Sequence, residues 1–260
     1  MKIVLSLTVL ILSKAFAIAV PVEPRDSGDE KWATVRGQIL FGGEKIPDPV
    51  ATNARLPNEP QFVLPWIVNA NNKGVKNVFV WLAFDTKDRG IRMAAEKIHP
   101  DLRKVPANAF EIDIRGKQYF PSSIAMRTGQ KLIFKNETVE ACDFKYQSLL
   151  LAGNVLVPPG KEHVVADLKA ETSALVVNSN IFPWMKSHVR VFDHPYFAVT
   201  DEDGKFEIRL APVGKLRIWV WHSESGWREG GKGKDGDPIE VKPRGTDVGP
   251  IKIRPLPDAR

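Results

Sequence analysis

Chain breakers set the scale of this sequence. Its 260 residues include 20 prolines and 19 glycines, and with Asn and Asp they cut the apolar segments into short runs. A helix announces itself by a 3.6-residue apolar period held over roughly ten residues or more. The best candidate is 90–104 (GIRMAAEKIHPDLRK), which Pro100 cuts short; a second, shorter one lies near 165–171. Elsewhere the pattern has period two. Over Thr34–Phe41, Val35, Gly37, Ile39 and Phe41 alternate with Arg36, Gln38 and Leu40 until Gly42-Gly43 ends the run. Residues 44–74 form a proline-rich connection. Asn77–Phe84 (NVFVWLAF) is apolar on both faces and predicts a central strand. Residues 109–115 (AFEIDIR) alternate cleanly, and 122–127 and 130–135 flank the turn Thr128-Gly129. Further strands are expected at 154–157, 162–166, 173–178 and 188–193. "YFAVTDEDGKFEIRL" places two strands around Asp203-Gly204, a strong hairpin signal. "GKLRIWVWH", "PIEVKP" and "VGPIKIRP" complete the set, with 225–237 (SGWREGGKGKDGD) read as an exposed, mobile loop. The fold class is all-β.

The first residues read as an export signal: Lys2, an apolar stretch Ile3–Leu12, and the small-residue cleavage pattern Ala15-Phe16-Ala17. No segment reaches the roughly 18 apolar residues of a membrane span. Residues 1–17 are therefore expected to be a signal peptide and 18–31 a flexible lead-in, which implies a secreted or periplasmic location. The formal net charge of +6 is interspersed with acids. It forms no dense basic stripe, so nucleic acid is not an expected partner. Cys142 is the only cysteine. The chain therefore has no internal disulfide and no multi-thiolate metal site, and stability must come from its core.

Two resemblances organise these strands. Residues 33–41 (ATVRGQILF), 77–82 (NVFVWL), 199–210 (VTDEDGKFEIRL), 212–222 (PVGKLRIWVWH) and 239–253 follow the order V-x-G-x-V, V-x-V-x-L, T-D-x-x-G-x-F-x-I, P-x-G. This resembles the carboxypeptidase regulatory-like, or transthyretin-like, β-sandwich. Residues 83–198 separate the second piece from the third, which implies an inserted module. "AMRTGQKLIFKNET" and "VVNSNIFPWMKSHVRVFDHPYFAVTDEDGKFEI" resemble a cupredoxin, the plastocyanin and azurin fold, as found in extended bacterial plastocyanin-like exported proteins. The resemblances imply two β-sandwiches. One is transthyretin-like and discontinuous, 32–106 plus 193–256; the other is a cupredoxin-like Greek key, 107–192.

In cupredoxins the closing loop carries Cys-x-x-His-x-x-Met. Those positions fall here on Ser179, Phe182 and Met185. The family's first histidine falls near Ala141 and Cys142, and no histidine stands there. A blue-copper site needs a thiolate and two imidazoles, and Met185 matches only the weak axial ligand. The resemblance thus implies the fold, while the residues imply that the copper site is lost, with Phe182 filling the ligand cavity. The alternative is a copper-binding electron carrier or copper chaperone using Met185, His188 and Cys142.

Among the other residues, His99, His163, His188, His194 and His222 form no H-x-H or H-x-x-x-H pair. Asp201, Glu202 and Asp203 crowd one turn but lack the distal Glu of a calcium loop. Trp219, Trp221, His222, Glu224 and Trp227 cluster at the end of a strand and in the following loop, aromatics beside polar groups as sugar- or peptide-binding surfaces use them. Trp219 and Trp221 share a strand face, either as an open platform for a ligand or buried where two modules meet, while Leu216, Ile218 and Val220 supply the core. No catalytic signature such as G-x-S-x-G or H-E-x-x-H occurs, nor a clustered acid/base pair of the kind a polysaccharide lyase needs. Asn136-Glu137-Thr138 is a glycosylation sequon. The functional expectation is an exported, non-enzymatic binding or structural protein with no cofactor, copper entering only under the alternative. Its expected partner is a glycan or an envelope protein.

Overall fold

The computed structural model describes residues 30–55 and 59–255, leaving aside the side chains of 229–232. The expected signal segment and nearly all of the lead-in lie outside the described residues. Among the described residues no helix is long and apolar enough to cross a membrane.

The strands in chain order are β1 (Trp32–Phe41), β2 (Val50–Ala51), β3 (Phe62–Val63), β4 (Phe79–Ala83), β5 (Ala109–Arg115), β6 (Gln118–Phe120), β7 (Ser123–Arg127), β8 (Lys131–Asn136), β9 (Cys142–Gln147) and β10 (Ala152–Val157). They continue with β11 (Lys161–Val165), β12 (Leu175–Asn178), β13 (Lys186–Phe192), β14 (Phe197–Val199), β15 (Lys205–Pro212), β16 (Gly214–His222), β17 (Gly226–Trp227), β18 (Asp237–Val241) and β19 (Thr246–Ile253). The protein is all-β.

Two pairs of sheets face each other. In the first, the order β15-β1-β19 packs over β14-β4-β16-β17, with β18 also on β16. Their shared core takes Val35 and Ile39 from β1, Val80 and Leu82 from β4, Ile208 from β15, and Leu216, Ile218 and Val220 from β16. In the second, β10-β9-β12-β13-β7 packs over β11-β8-β5-β6, around Ile112, Phe134, Phe144, Val177, Val189 and Val191. The chain before residue 84 and after residue 196 builds the first pair, and 109–192 builds the second.

Period-two alternation then generates a third apolar layer. On β4, Phe79, Trp81 and Ala83 point away from Val80 and Leu82. On β16, Trp219 points away from Ile218 and Val220, and on β13, Phe192 points away from Val189 and Val191. These outward faces meet with Ala125 and Ile91. That is why β4 is apolar on both sides and fully buried. Each large side chain so buried contributes about 1.5–3 kcal/mol, so the junction is a core in its own right.

The helical expectations need correction. Residues 90–104 hold no continuous helix; a 3₁₀ turn at Ala95–Lys97 precedes a single α turn at Pro100–Arg103. Pro100 starts that turn instead of ending one, since the first helical position needs no N–H, and the His99 side chain accepts from the Asp101 N–H. Residues 166–171 are irregular. Asp167 has φ +57° there, and Leu168 and Ala170 are buried. The stretch 225–237 is not an open loop. Its 3₁₀ turn Arg228–Asp235 lies against Trp219, whose indole N–H donates to the Lys234 carbonyl at 3.2 Å. Gly236, at φ +67°, approaches the same indole so closely that a Cβ would sit 2.6 Å from it.

Candidate functional site

The loop between β12 and β13 holds Ser179, Phe182 and Met185, the positions that the sequence resemblance sets against a cupredoxin's copper ligands. Its organiser is Asp143 on β9, a residue that no motif singles out. The Ser179 hydroxyl donates to one Asp143 carboxylate oxygen at 2.5 Å, and the Asn180 N–H donates to the other at 2.6 Å. Ser179 Oγ in turn accepts from the Ile181 and Phe182 N–H groups at 3.1 and 2.9 Å. The Met185 N–H closes the turn on the Phe182 carbonyl at 2.8 Å. A buried carboxylate thus fixes the loop's entry through charge-assisted bonds. Beneath it, the Tyr119 hydroxyl donates to the Asp143 main-chain oxygen. Burial, reinforced by the Asp143 charge, pushes the Tyr119 pKa well above its usual value.

The rest of the loop is held from outside. The Trp184 indole N–H donates to the Lys117 carbonyl at 2.9 Å, and the Lys117 amine lies 4.9 Å from the Phe182 ring centroid while pairing with Glu140. Phe182 and Trp184 have ring centroids 5.4 Å apart. Met185 and Cys142 are both buried in the second core. The Cys142 thiol has Thr138 Oγ1 at 3.6 Å and the Glu140 carbonyl at 3.7 Å as polar neighbours. Ala141 is exposed.

The histidines lie elsewhere. On β13, Ser187, Val189 and Val191 face one way, and His188, Arg190 and Phe192 face the other. His188 consequently meets Trp221, centroids 5.8 Å apart, on the opposite side of the strand from the core that holds Cys142 and Met185. His194 Nε2 donates to the Gly90 carbonyl at 2.8 Å, while its Nδ1 accepts from the Tyr196 N–H at 3.2 Å. His163 stacks beside Phe134, and His99 edges onto Trp32. Among the described residues no three His, Cys, Asp or Glu side chains gather closely enough to hold a metal ion.

The aromatic set divides between faces. Trp219 is fully buried and stacks parallel to Trp81, centroids 6.1 Å apart. Trp221 and Trp227 join Trp81 around the guanidinium of Arg190, which lies 4.6, 5.3 and 4.9 Å from their respective centroids. His222 turns the other way, onto Trp66 at 4.5 Å, and accepts the Glu224 N–H on Nδ1 at 3.3 Å; the Glu224 side chain is exposed. Three indoles therefore converge, on a buried arginine instead of on solvent. Burial first, then Arg89, lowers the Arg190 pKa to about 9. One signal for this cage is present in the sequence: "VRVF" places an arginine between apolar residues within a strand.

Two further positions resolve simply. Asp201, Glu202 and Asp203 bind their own neighbourhood: Asp201 accepts the Asp203 and Lys205 N–H groups, Asp203 takes the Asn69 and Asn72 amides, and Glu202 pairs with Lys76 at 2.5 Å. Asn136 of the sequon is fully buried, its amide donating to the Glu140 and Val157 carbonyls at 2.8 Å each.

The described residues thus define an all-β protein with a carboxylate-tied loop at one core and an arginine–tryptophan cluster at the junction. No protein-family profile matches the chain, and no curated protein matches it. Among solved structures, a methionine-to-alanine mutant of amicyanin in its Cu(I) form aligns at TM-score 0.29 and 14% identity, covering 38% of this chain and 90% of that one. Amicyanin from Paracoccus versutus aligns at TM-score 0.29 and 13% identity, covering 38% and 94%. The Cu-containing nitrite reductase of Thermus scotoductus SA-01 aligns at 0.30 and 17% identity, covering 39% and 27%. At these scores the likeness assigns neither ligand nor activity.

Proposed function

We propose that this is an exported, non-enzymatic binding or structural protein whose inserted module has a cupredoxin-like form without a copper site. The observation that carries the reading is the Asp143 carboxylate. Both of its oxygens are engaged by the Ser179–Asn180 backbone and hydroxyl, so the loop is closed by hydrogen bonds where a blue-copper protein closes it with a thiolate and an imidazole. Phe182 and Met185 supply apolar packing beside it. The flanking module is the transthyretin-like sandwich of the sequence resemblance, and the partner class remains a glycan or an envelope protein.

The competing reading is copper binding through Cys142, Met185 and His188. Titration of the purified chain with Cu(II) and Cu(I), followed by visible absorption and paramagnetic resonance, separates the two. The expected result is no stoichiometric site and no intense visible band. A tight one-to-one complex with a thiolate-to-copper band that disappears in Cys142→Ser would overturn the proposal.

A further inference from the structure

Burying a cation demands compensation, because an unpaired charge loses its hydration. Among the described residues two arginines are almost wholly buried: Arg190, 2% exposed, and Arg127, 6% exposed. Neither makes an ion pair among the described residues. Arg190, whose Nε–H also lacks a partner, is compensated by the faces of three indoles, the Thr172 carbonyl at 3.4 Å and the charge of Glu171. Arg127 has no aromatic face over it among the described residues. One terminal nitrogen donates to the Leu102 carbonyl at 2.6 Å and the other to the Asp193 carbonyl at 3.1 Å, and its Nε–H has no partner. A guanidinium carries five N–H donors, so the fork is underused. The nearest acid in sequence to these bonds, Asp193, directs its carboxylate to the Met93 N–H at 2.8 Å and acts on Arg127 only through space.

Arg127 also lines a cavity of about 270 Å³ where the strand end of β7, the Pro100–Arg103 turn and the segment leading into β14 meet. Leu102, Pro106, Phe110 and Phe197 form apolar walls, and Lys104 and Asn108 add an ammonium and an amide. Gln130 holds the Asn108 side chain in place at 2.8 Å. Asp101, largely exposed, lies at the same cavity as its one carboxylate. Apolar walls around a few converging polar groups at a junction between modules are the usual make-up of a small-molecule site.

We infer that this cavity binds a small monocarboxylate with an apolar body, its carboxylate on Arg127 and Lys104 and its hydrocarbon part against Phe110 and Phe197. The site is separate from the copper question and stands whichever way that is answered. An aromatic or alicyclic acid fits the volume and the walls. A dianion meets Asp101, and a neutral analogue leaves the guanidinium uncompensated.

The test is titration of the full chain with benzoate, benzyl alcohol and inorganic phosphate, read by calorimetry and by amide chemical shifts. Benzoate is expected to shift Lys104, Asn108 and Phe197. Benzyl alcohol and phosphate should bind at least roughly tenfold more weakly, the loss expected when one charge-assisted contact or the apolar contact is missing. Lys104→Ala, at an exposed position, should weaken benzoate by roughly tenfold while leaving the fold intact. Arg127→Lys keeps the charge but loses the fork and should weaken it at least as much. The inference is overturned by an absence of benzoate shifts at those residues, by equal binding of benzyl alcohol or phosphate, or by benzoate affinity unchanged in Lys104→Ala.

Discussion

Three imidazoles at or beside the junction are held neutral in the fold. The pKa values of His188, His194 and His222 are each pushed down from 6.5 to about 4, in every case chiefly by burial. Lys186 and Arg190 add to the effect on His188, Arg127 on His194, and His188 on His222. In the unfolded chain these groups titrate near 6.5, so below that pH the unfolded state takes up protons that the fold refuses. Stability is therefore full above about pH 6.5 and falls as the pH drops toward 4, by up to about 1.4 kcal/mol per pH unit for each histidine. Over the whole interval that is roughly 3 kcal/mol per imidazole and roughly 10 kcal/mol for the three, comparable with the entire stability of an ordinary domain. Urea unfolding followed by tryptophan fluorescence, from neutral pH down to about pH 4.5, should show the midpoint collapsing well before most carboxylates protonate. His194→Gln, which retains a donor for the Gly90 carbonyl, should flatten the slope by about a third. A midpoint that stays level to about pH 5, or a slope unchanged in the Gln variants of all three, would refute the reasoning.

Other perturbations follow from single contacts. Asp143→Asn leaves one of its two loop donors without an acceptor and should cost about 1–3 kcal/mol in a urea melt, with Ser179→Ala showing a smaller loss of the same origin. Trp219→Ala removes a buried indole from the junction and should cost about 3–5 kcal/mol; because Lys234 and Gly236 rest on that ring, limited proteolysis should then cut within 228–236. Gly74→Ala would place a Cβ 2.0 Å from the Asp203 carbonyl oxygen, a backbone clash that no rotamer relieves, and should yield insoluble or unfolded protein on expression.

Strand identity is legible where alternation is strong. Ala109–Arg115 forms residue for residue as its alternation predicts, and the lone apolar-on-both-sides run around Phe79–Ala83 reads as central because two cores claim its two faces. Cys142–Gln147 is hidden since it carries no β-branched residue, and its buried acid interrupts the pattern. The short Gln118–Phe120 strand is hidden for a related reason: only Tyr119 in it is buried. The loop at 179–185 announces the absence of a thiolate and an imidazole but not what replaces them, because Asp143 reaches it from a strand 36 residues earlier in the chain. Likewise nothing local marks Arg127 as buried; its environment is assembled from Leu102 and Asp193, on either side of it in sequence.

The pairing of β1 carries a consequence for biosynthesis. Its two neighbouring strands are β15 and β19; apart from the Ile39–Phe41 end, which meets Lys73–Val75, the earliest strand of the sheet finds its partners only when the far end of the chain is available. Until then most of both edges of an apolar ribbon stays open to wrong annealing, and such long-range closure is intrinsically slow. A nascent chain built this way depends on being shielded from its own kind until its far end arrives, and a truncation that removes only Thr246–Ile253 should leave a sticky, unzipped product in place of a slightly smaller protein.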